Sequence, residues 1–91
     1  MVEIEKPYYD KHGNEIREFH LLKIFHFKGV NKNGNGRKNY YMYRWVRIKE
    51  FKNKKYYVGM YLNNAHPLSF GFLKGIADEN TRIIPNAEII Q

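Results

Sequence analysis

The chain contains no cysteine. Neither a disulfide framework nor a thiolate metal site can therefore support it, and the fold must rest on its own core. Long apolar runs are also missing. No stretch approaches the roughly 18 apolar residues that span a bilayer, and the opening MVEIEKPYYD lacks the basic region and apolar run of a signal peptide. A soluble, cytoplasmic protein is expected. There is no internal repeat, zinc-ligand spacing, heptad pattern or glycosylation sequon. Asn33-Gly-Asn-Gly36 superficially resembles a phosphate cradle but has neither the GxGxxG nor the GxxxxGK spacing, and no helix follows it.

Acidic side chains are scarce: nine Asp and Glu face sixteen Lys and Arg, for a net charge of +7. The excess is confined to one third of the chain. Residues 28–55 carry ten basic side chains against Glu50 alone, whereas each flank comes to −1. A charge concentrated in one segment creates a local potential that attracts phosphate.

What the chain has in abundance is aromatic residues, with eight Tyr, six Phe and one Trp among 91 residues. These favour pleated, half-buried strands. At this length and 43% hydrophobic content, residues 1–91 suit one compact domain, burying about 60–65% of the unfolded surface. The abundance of Lys, Asn, Ile and Tyr suggests a gene rich in A and T, as in many microbes and mobile elements.

Two segments, Val2–Tyr9 and Ile16–Lys28, flank Asp10-Lys-His-Gly13-Asn14, where Asp opens a turn and Gly supplies a positive φ, so a hairpin is expected. In the second arm both parities are largely apolar (Phe19, Leu21, Phe25 and Phe27; His20, Leu22, Ile24 and His26), as in a central strand. Residues 29–39, with three Gly, four Asn and three basic side chains, read as a long flexible basic loop.

Tyr40–Phe51 and Tyr56–Leu62 form the next pair of strands. In the first, Tyr40, Met42, Val46 and Ile48 mark an apolar face, with Arg44 as a misfit that a carboxylate such as Glu18, a bulge or an inverted face would explain. The alternate set is Tyr41, Tyr43, Trp45, Arg47 and Lys49. Pairing Lys52 with Tyr56 around a three-residue loop matches Ile48 to Met60 and Val46 to Leu62 inside, and Arg47 to Tyr61 and Phe51 to Tyr57 outside. Leu68–Ile76 fits a strand better than a short helix near 68–77, because Gly71 and Gly75 oppose a helix interior. Asp78–Thr81 is a turn, and the short strands Arg82–Ile84 and Ala87–Ile90 are separated by Pro85, a residue of edges and bends. The expected fold is all-β: five to seven short antiparallel strands in a bent sheet or partly open barrel.

The outward aromatic and basic set is the main functional signal. Rings on a sheet stack with unpaired bases while Arg and Lys neutralise phosphate. The expected nucleic-acid-binding residues are Tyr41, Tyr43, Trp45, Arg47, Lys49, Tyr57 and Tyr61, flanked by Lys32, Arg37 and Lys38 of one loop and Lys52, Lys54 and Lys55 of the other. The partner is single-stranded DNA or RNA. A second class is a protein-binding inhibitor or adaptor of viral or mobile-element origin, docking on an acidic surface of a larger nucleic-acid enzyme, since Tyr, Trp and Arg also dominate protein interfaces. A ribosome- or virion-associated structural protein is a third. No cofactor or metal is expected: His20 and His26 stand about 20 Å apart on an extended strand, too far for one ion, although a bend could unite one of them with His66. A small nuclease using a His pair and a Lys has no supporting spacing, so the chain is read as non-enzymatic.

Overall fold

The computed structural model describes residues 2–30, 36–61 and 70–91. Its backbone is mainly strand, in the order β1 (Glu3–Ile4), β2 (Tyr8–Tyr9), β3 (Glu15–Ile16), β4 (Leu21–Val30), β5 (Arg37–Phe51), β6 (Lys54–Tyr61), β7 (Phe70–Phe72) and β8 (Ala87–Ile89). A 3₁₀ turn, Leu73–Gly75, follows β7 directly. The main sheet runs β1-β6-β5-β4-β8, with β7 also on β6, and curls into a half-barrel; β2 and β3 form a second, two-stranded sheet. Among the described strands the pairings are antiparallel except β1 on β6, and the isolated Tyr9–Ile83 bridge is also parallel. The all-β expectation holds, and no helix among the described residues is long and apolar enough to cross a membrane.

The Asp10–Asn14 turn forms as its composition dictates. Gly13 takes φ 82°, and Asp10 Oδ1 accepts the backbone N–H groups of His12 and Asn14 at 3.0 and 2.9 Å. Asp10 is nevertheless fully buried, because its Oδ2 reaches the N–H of Ile89 on β8 at 3.2 Å, while Lys11 N–H donates to the Ala87 carbonyl. The turn thereby covers the outer edge of β8, a row of groups that would otherwise invite another strand. Burial pushes the Asp10 carboxyl up, but the N–H donors of Asn14, Ile89 and His12 outweigh it and hold the group below the ordinary carboxylate range.

The hairpin arm beyond this turn is shorter than its apolar run suggests. The chain breaks at Arg17–His20, where Phe19 has φ 78° and His20 Nδ1 accepts the Arg17 N–H at 2.9 Å, before β4 begins at Leu21. β4 lies between β5 and β8, as two apolar faces require. A register shift between Phe25 and Phe27 inserts His26 as an extra residue, pairing Phe25 with Tyr41 and Phe27 with Tyr40. That bulge breaks the single parity expected for Phe25 and Phe27.

The expected loop over 29–39 is corrected. β4 and β5 continue into it, pairing Lys28 with Asn39, Gly29 with Lys38 and Val30 with Arg37. Ladder hydrogen bonds overrode a composition poor in strand formers. The connection narrows to residues 31–36, of which 31–35, with Lys32, lie outside the described residues.

The β5–β6 register also differs from expectation. Phe51 pairs with Lys54, leaving a two-residue turn in which Lys52 and Asn53 both adopt left-handed φ, 49° and 64°. Such turns match the right-handed twist of the flanking strands. The consequence is a change of parity: Met60 faces Trp45, Val58 faces Arg47, and Tyr56 faces Lys49, while Tyr57 lies opposite Ile48. Tyr56, Val58 and Met60 therefore stand on the outer side, not the inner. An apolar residue opposite arginine is tolerated here: Val58, flanked in register by Arg47 and by Phe72 of β7, is fully buried. Arginine's aliphatic stem can cover such a neighbour while its head stays in water.

The core fills the inner side of the curled sheet. Leu22 and Ile24 of β4, Val46 of β5 and Ala87 of β8 pack with Tyr8, Ile16, Leu73 and Ile84; Met42, Tyr57, Ala77 and Ile89 border them. Each fully buried aliphatic side chain contributes about 1.5–3 kcal/mol. The expected interior residues Met42 and Val46 are confirmed. Arg44, the misfit of that face, is accommodated by Gly59, where an added Cβ would lie 3.0 Å from Arg44 Cβ. Its guanidinium donates to the Tyr43 carbonyl and to Met42 Sδ. Glu18, expected beside it, instead lies 3.6 Å from Arg47 and accepts the Ile48 N–H.

Residues 70–76 combine both readings of that segment, a strand that passes into a 3₁₀ turn. The Asp78–Thr81 turn is closed by the Thr81 N–H and hydroxyl, both donating to Asp78 Oδ2. Arg82–Ile84 is no strand; it makes one bridge, Tyr9 with Ile83. Arg82, at φ 61°, ties this segment to the N-terminus by donating to the Pro7 and Lys6 carbonyls and stacking 4.1 Å over Tyr8. β8 follows the Pro85-Asn86 turn and is an edge strand, as proline beside it implied.

Candidate functional site

The inner face belongs to the core, so the outer face of β4, β5, β6 and β7 is the surface left for a ligand. Alternation along β5 places Tyr41, Tyr43, Trp45, Arg47 and Lys49 together there, in register with Phe25, Lys23 and Leu21 on one side and Met60, Val58 and Tyr56 on the other. Tyr41 is 40% exposed, Arg47 is exposed, and Tyr43, Trp45 and Lys49 are half-buried.

Aromatic and cationic groups interlock across this face. Lys23 Nζ sits 4.3 Å from the Tyr41 ring centre, and Tyr41 meets Phe25 edge-to-face at 6.0 Å. The Arg47 guanidinium lies 4.9 Å from the ring of Phe19, which is 64% exposed. Its ion pair with Glu18 is half-exposed and so contributes at most about 1 kcal/mol, leaving Arg47 free to exchange that carboxylate for another anion.

The register assembles a second part of the surface that was not foreseen. Phe51, Tyr56, Phe70 and Phe72 form one cluster at the β5–β6 turn end, with ring centres 5.4–5.9 Å apart in four contacting pairs. Three lysines border it: Lys49 over Phe70, Lys54 over Tyr56, and Lys74 over both Tyr56 and Phe72. The signal was present in the alternation of Phe70 with Phe72 and of Tyr56 with Val58. It stayed hidden because the three-residue loop put Tyr56 inside.

Other expected site residues fall elsewhere. Tyr57 is a correction: it borders the core, meets Tyr8 edge-to-face at 6.3 Å, and its N–H donates to Glu5 Oε1. Burial, with the Glu15, Glu5 and Glu18 carboxylates adding to it against Arg17, raises its pKa. The two-residue turn moved it by changing the parity of β6. Tyr61 pairs with Arg44, not with Arg47 as expected. Lys54 joins the outer face, whereas Lys55 pairs with Glu50 and with Ile4 of β1 on the other parity; Lys52 occupies the turn. Arg37 and Lys38 open β5 opposite Val30 and Gly29.

Among the described residues, no three His, Asp or Glu side chains converge as metal ligands. His66 lies outside them. The fold and surface thus define a half-barrel β domain with an aromatic, cation-bordered outer face. No protein-family model, curated protein or solved structure matches the chain.

Proposed function

We propose that this is a non-enzymatic protein that binds single-stranded DNA or RNA across the outer face of its half-barrel. One observation carries the reading: on the side of the sheet that the core does not use, exposed and half-exposed rings alternate with cations from three strands, β4, β5 and β6, and from the 3₁₀ turn. Unpaired bases stack on such rings, gaining about 1–3 kcal/mol each, and the cations neutralise the backbone. Lys23, Arg47, Lys49, Lys54 and Lys74 are the phosphate contacts among the described residues, and Tyr41, Tyr43, Trp45, Tyr56 and Phe51 supply the stacking surface.

Neutralising about five phosphates on a single strand gives a log–log salt slope near −3.5. Fluorescence anisotropy with labelled oligonucleotides over a salt series measures it. Absence of binding at low salt would overturn the proposal. Trp45→Ala is expected to weaken single-strand binding by about tenfold, within the range for one lost stack, and duplex binding much less.

The Phe51, Phe70 and Phe72 cluster also supports docking on a larger protein, since phenylalanine anchors need only an apolar pocket and the bordering lysines would meet an acidic surface. Purification of the chain with a stoichiometric protein partner, and with no excess absorbance at 260 nm, would favour that reading.

A further inference from the structure

The outer face ends, on the β8 side, in a concavity of about 220 Å³ lined by Lys11, Lys23, Phe25, Tyr41, Asn86 and Glu88, with Pro85 at its border. We propose that this concavity is a subsite for a single nucleobase and that the Glu88 carboxylate selects guanine there. The inference rests on the binding reading above, because Tyr41 belongs to both surfaces.

Size, walls and charge point the same way. The volume is below the about 300–1,000 Å³ of pockets that take drug-sized ligands, and it suits one base. The Phe25–Tyr41 pair gives an aromatic wall. Lys23 and Glu88 are register neighbours on β4 and β8. Backbone bonds hold the β8 side in place: Phe25 N–H donates to the Asn86 carbonyl at 2.9 Å, and β8 is tied to the Asp10 carboxylate and the Lys11 N–H. Glu88 is the one acid among these residues. Its carboxylate stands 3.7 Å from Lys11 Nζ, with the two side chains 41% and 45% exposed. Such an exposed pair contributes little, so a base can take the carboxylate at small cost.

Guanine presents N1–H and its exocyclic amine side by side, matching both carboxylate oxygens. Uracil and thymine present one N–H between two carbonyl oxygens, which the carboxylate repels. Cytosine and adenine each offer one amine beside a ring acceptor. Lys11 and Lys23, displaced from Glu88 and from the Tyr41 ring, then face the phosphates on either side of the bound base. Phosphate contacts carry no sequence information and stacking gives only a modest preference, so this subsite is where a marked base preference would arise.

The test compares an oligouridylate with the same strand carrying one central guanosine, by anisotropy against wild type, Glu88→Ala and Glu88→Gln. Guanosine is expected to tighten wild-type binding about tenfold, in the range for a two-bond base contact. The ratio should fall to the modest preference that stacking alone gives in Glu88→Ala, and to an intermediate value in Glu88→Gln. Equal wild-type binding of both strands would overturn the subsite while leaving the interface reading intact. A preference unchanged in Glu88→Ala would overturn the assignment to Glu88, and binding of neither strand at low salt would overturn both.

Discussion

Asp10→Ala is the sharpest probe of how this fold closes. The carboxylate accepts three backbone N–H bonds, two within its own turn and one from Ile89 on the edge strand β8. The two turn donors, on exposed His12 and Asn14, can bond to water after truncation. Ile89 N–H, on the half-buried strand, is worse placed to do so, and leaving such a donor unpaired costs about 1–3 kcal/mol. Losing the charge-assisted bonds that order the turn brings the expected total to about 3 kcal/mol. With a urea m-value of about 1.5 kcal/mol/M for a small domain, the midpoint should fall by about 2 M. Asp10→Asn separates the contributions: its oxygen can serve the turn, but its amide then presents a donor to the Ile89 donor, so an intermediate loss is expected. The pH dependence has a definite sign. Because the folded carboxyl titrates below the ordinary 3.8, its stabilisation is present above that value and disappears as pH falls through the lower folded pKa. Asp10→Ala should therefore lose part of the acid limb of the stability profile. A midpoint within 0.3 M of wild type, or an unchanged acid limb, would refute the edge-capping role; that threshold is about 0.5 kcal/mol by the same m-value.

Gly59→Ala should destabilise by about 1–2 kcal/mol in the same assay, since the new methyl would press on the Arg44 Cβ rather than on a flexible side-chain end. Asn53→Gly should stabilise by about 0.5 kcal/mol, because the turn requires a left-handed residue there and glycine adopts that conformation without strain. Tyr8 is pushed up to about 12 by burial and by its hydrogen bond and proximity to Glu5, against the opposing Arg82. Its contribution should persist below pH 10 and fade as pH rises towards 12, and Tyr8→Phe should remove a late-titrating tyrosine seen by ultraviolet absorbance.

Much of the architecture was legible because it depends on local chemistry. The aromatic and β-branched residues favoured strands; Asp10 and Gly13 marked their turn; and alternation along β5 separated Met42 and Val46 from Tyr41, Tyr43, Trp45, Arg47 and Lys49. Parity within one strand is a property of the strand itself.

Relations between strands were another matter. The register of β5 on β6 depended on whether Lys52 would accept a left-handed φ, an unfavourable conformation for lysine that the twist of two long strands imposes. That single turn moved Tyr57 into the wall of the core and brought Tyr56 out to meet Phe51 and Phe72. Residues about twenty positions apart became one surface, which periodicity cannot report. The same holds for Asp10 and Ile89, whose bond joins the two ends of the chain. By itself the sequence determined the all-β class, the concentration of positive charge and which half of β5 faces outward. Only the tertiary structure decided which rings gather around the lysines and where a carboxylate stands among them, because register and long-range contacts follow from the packing of the whole sheet.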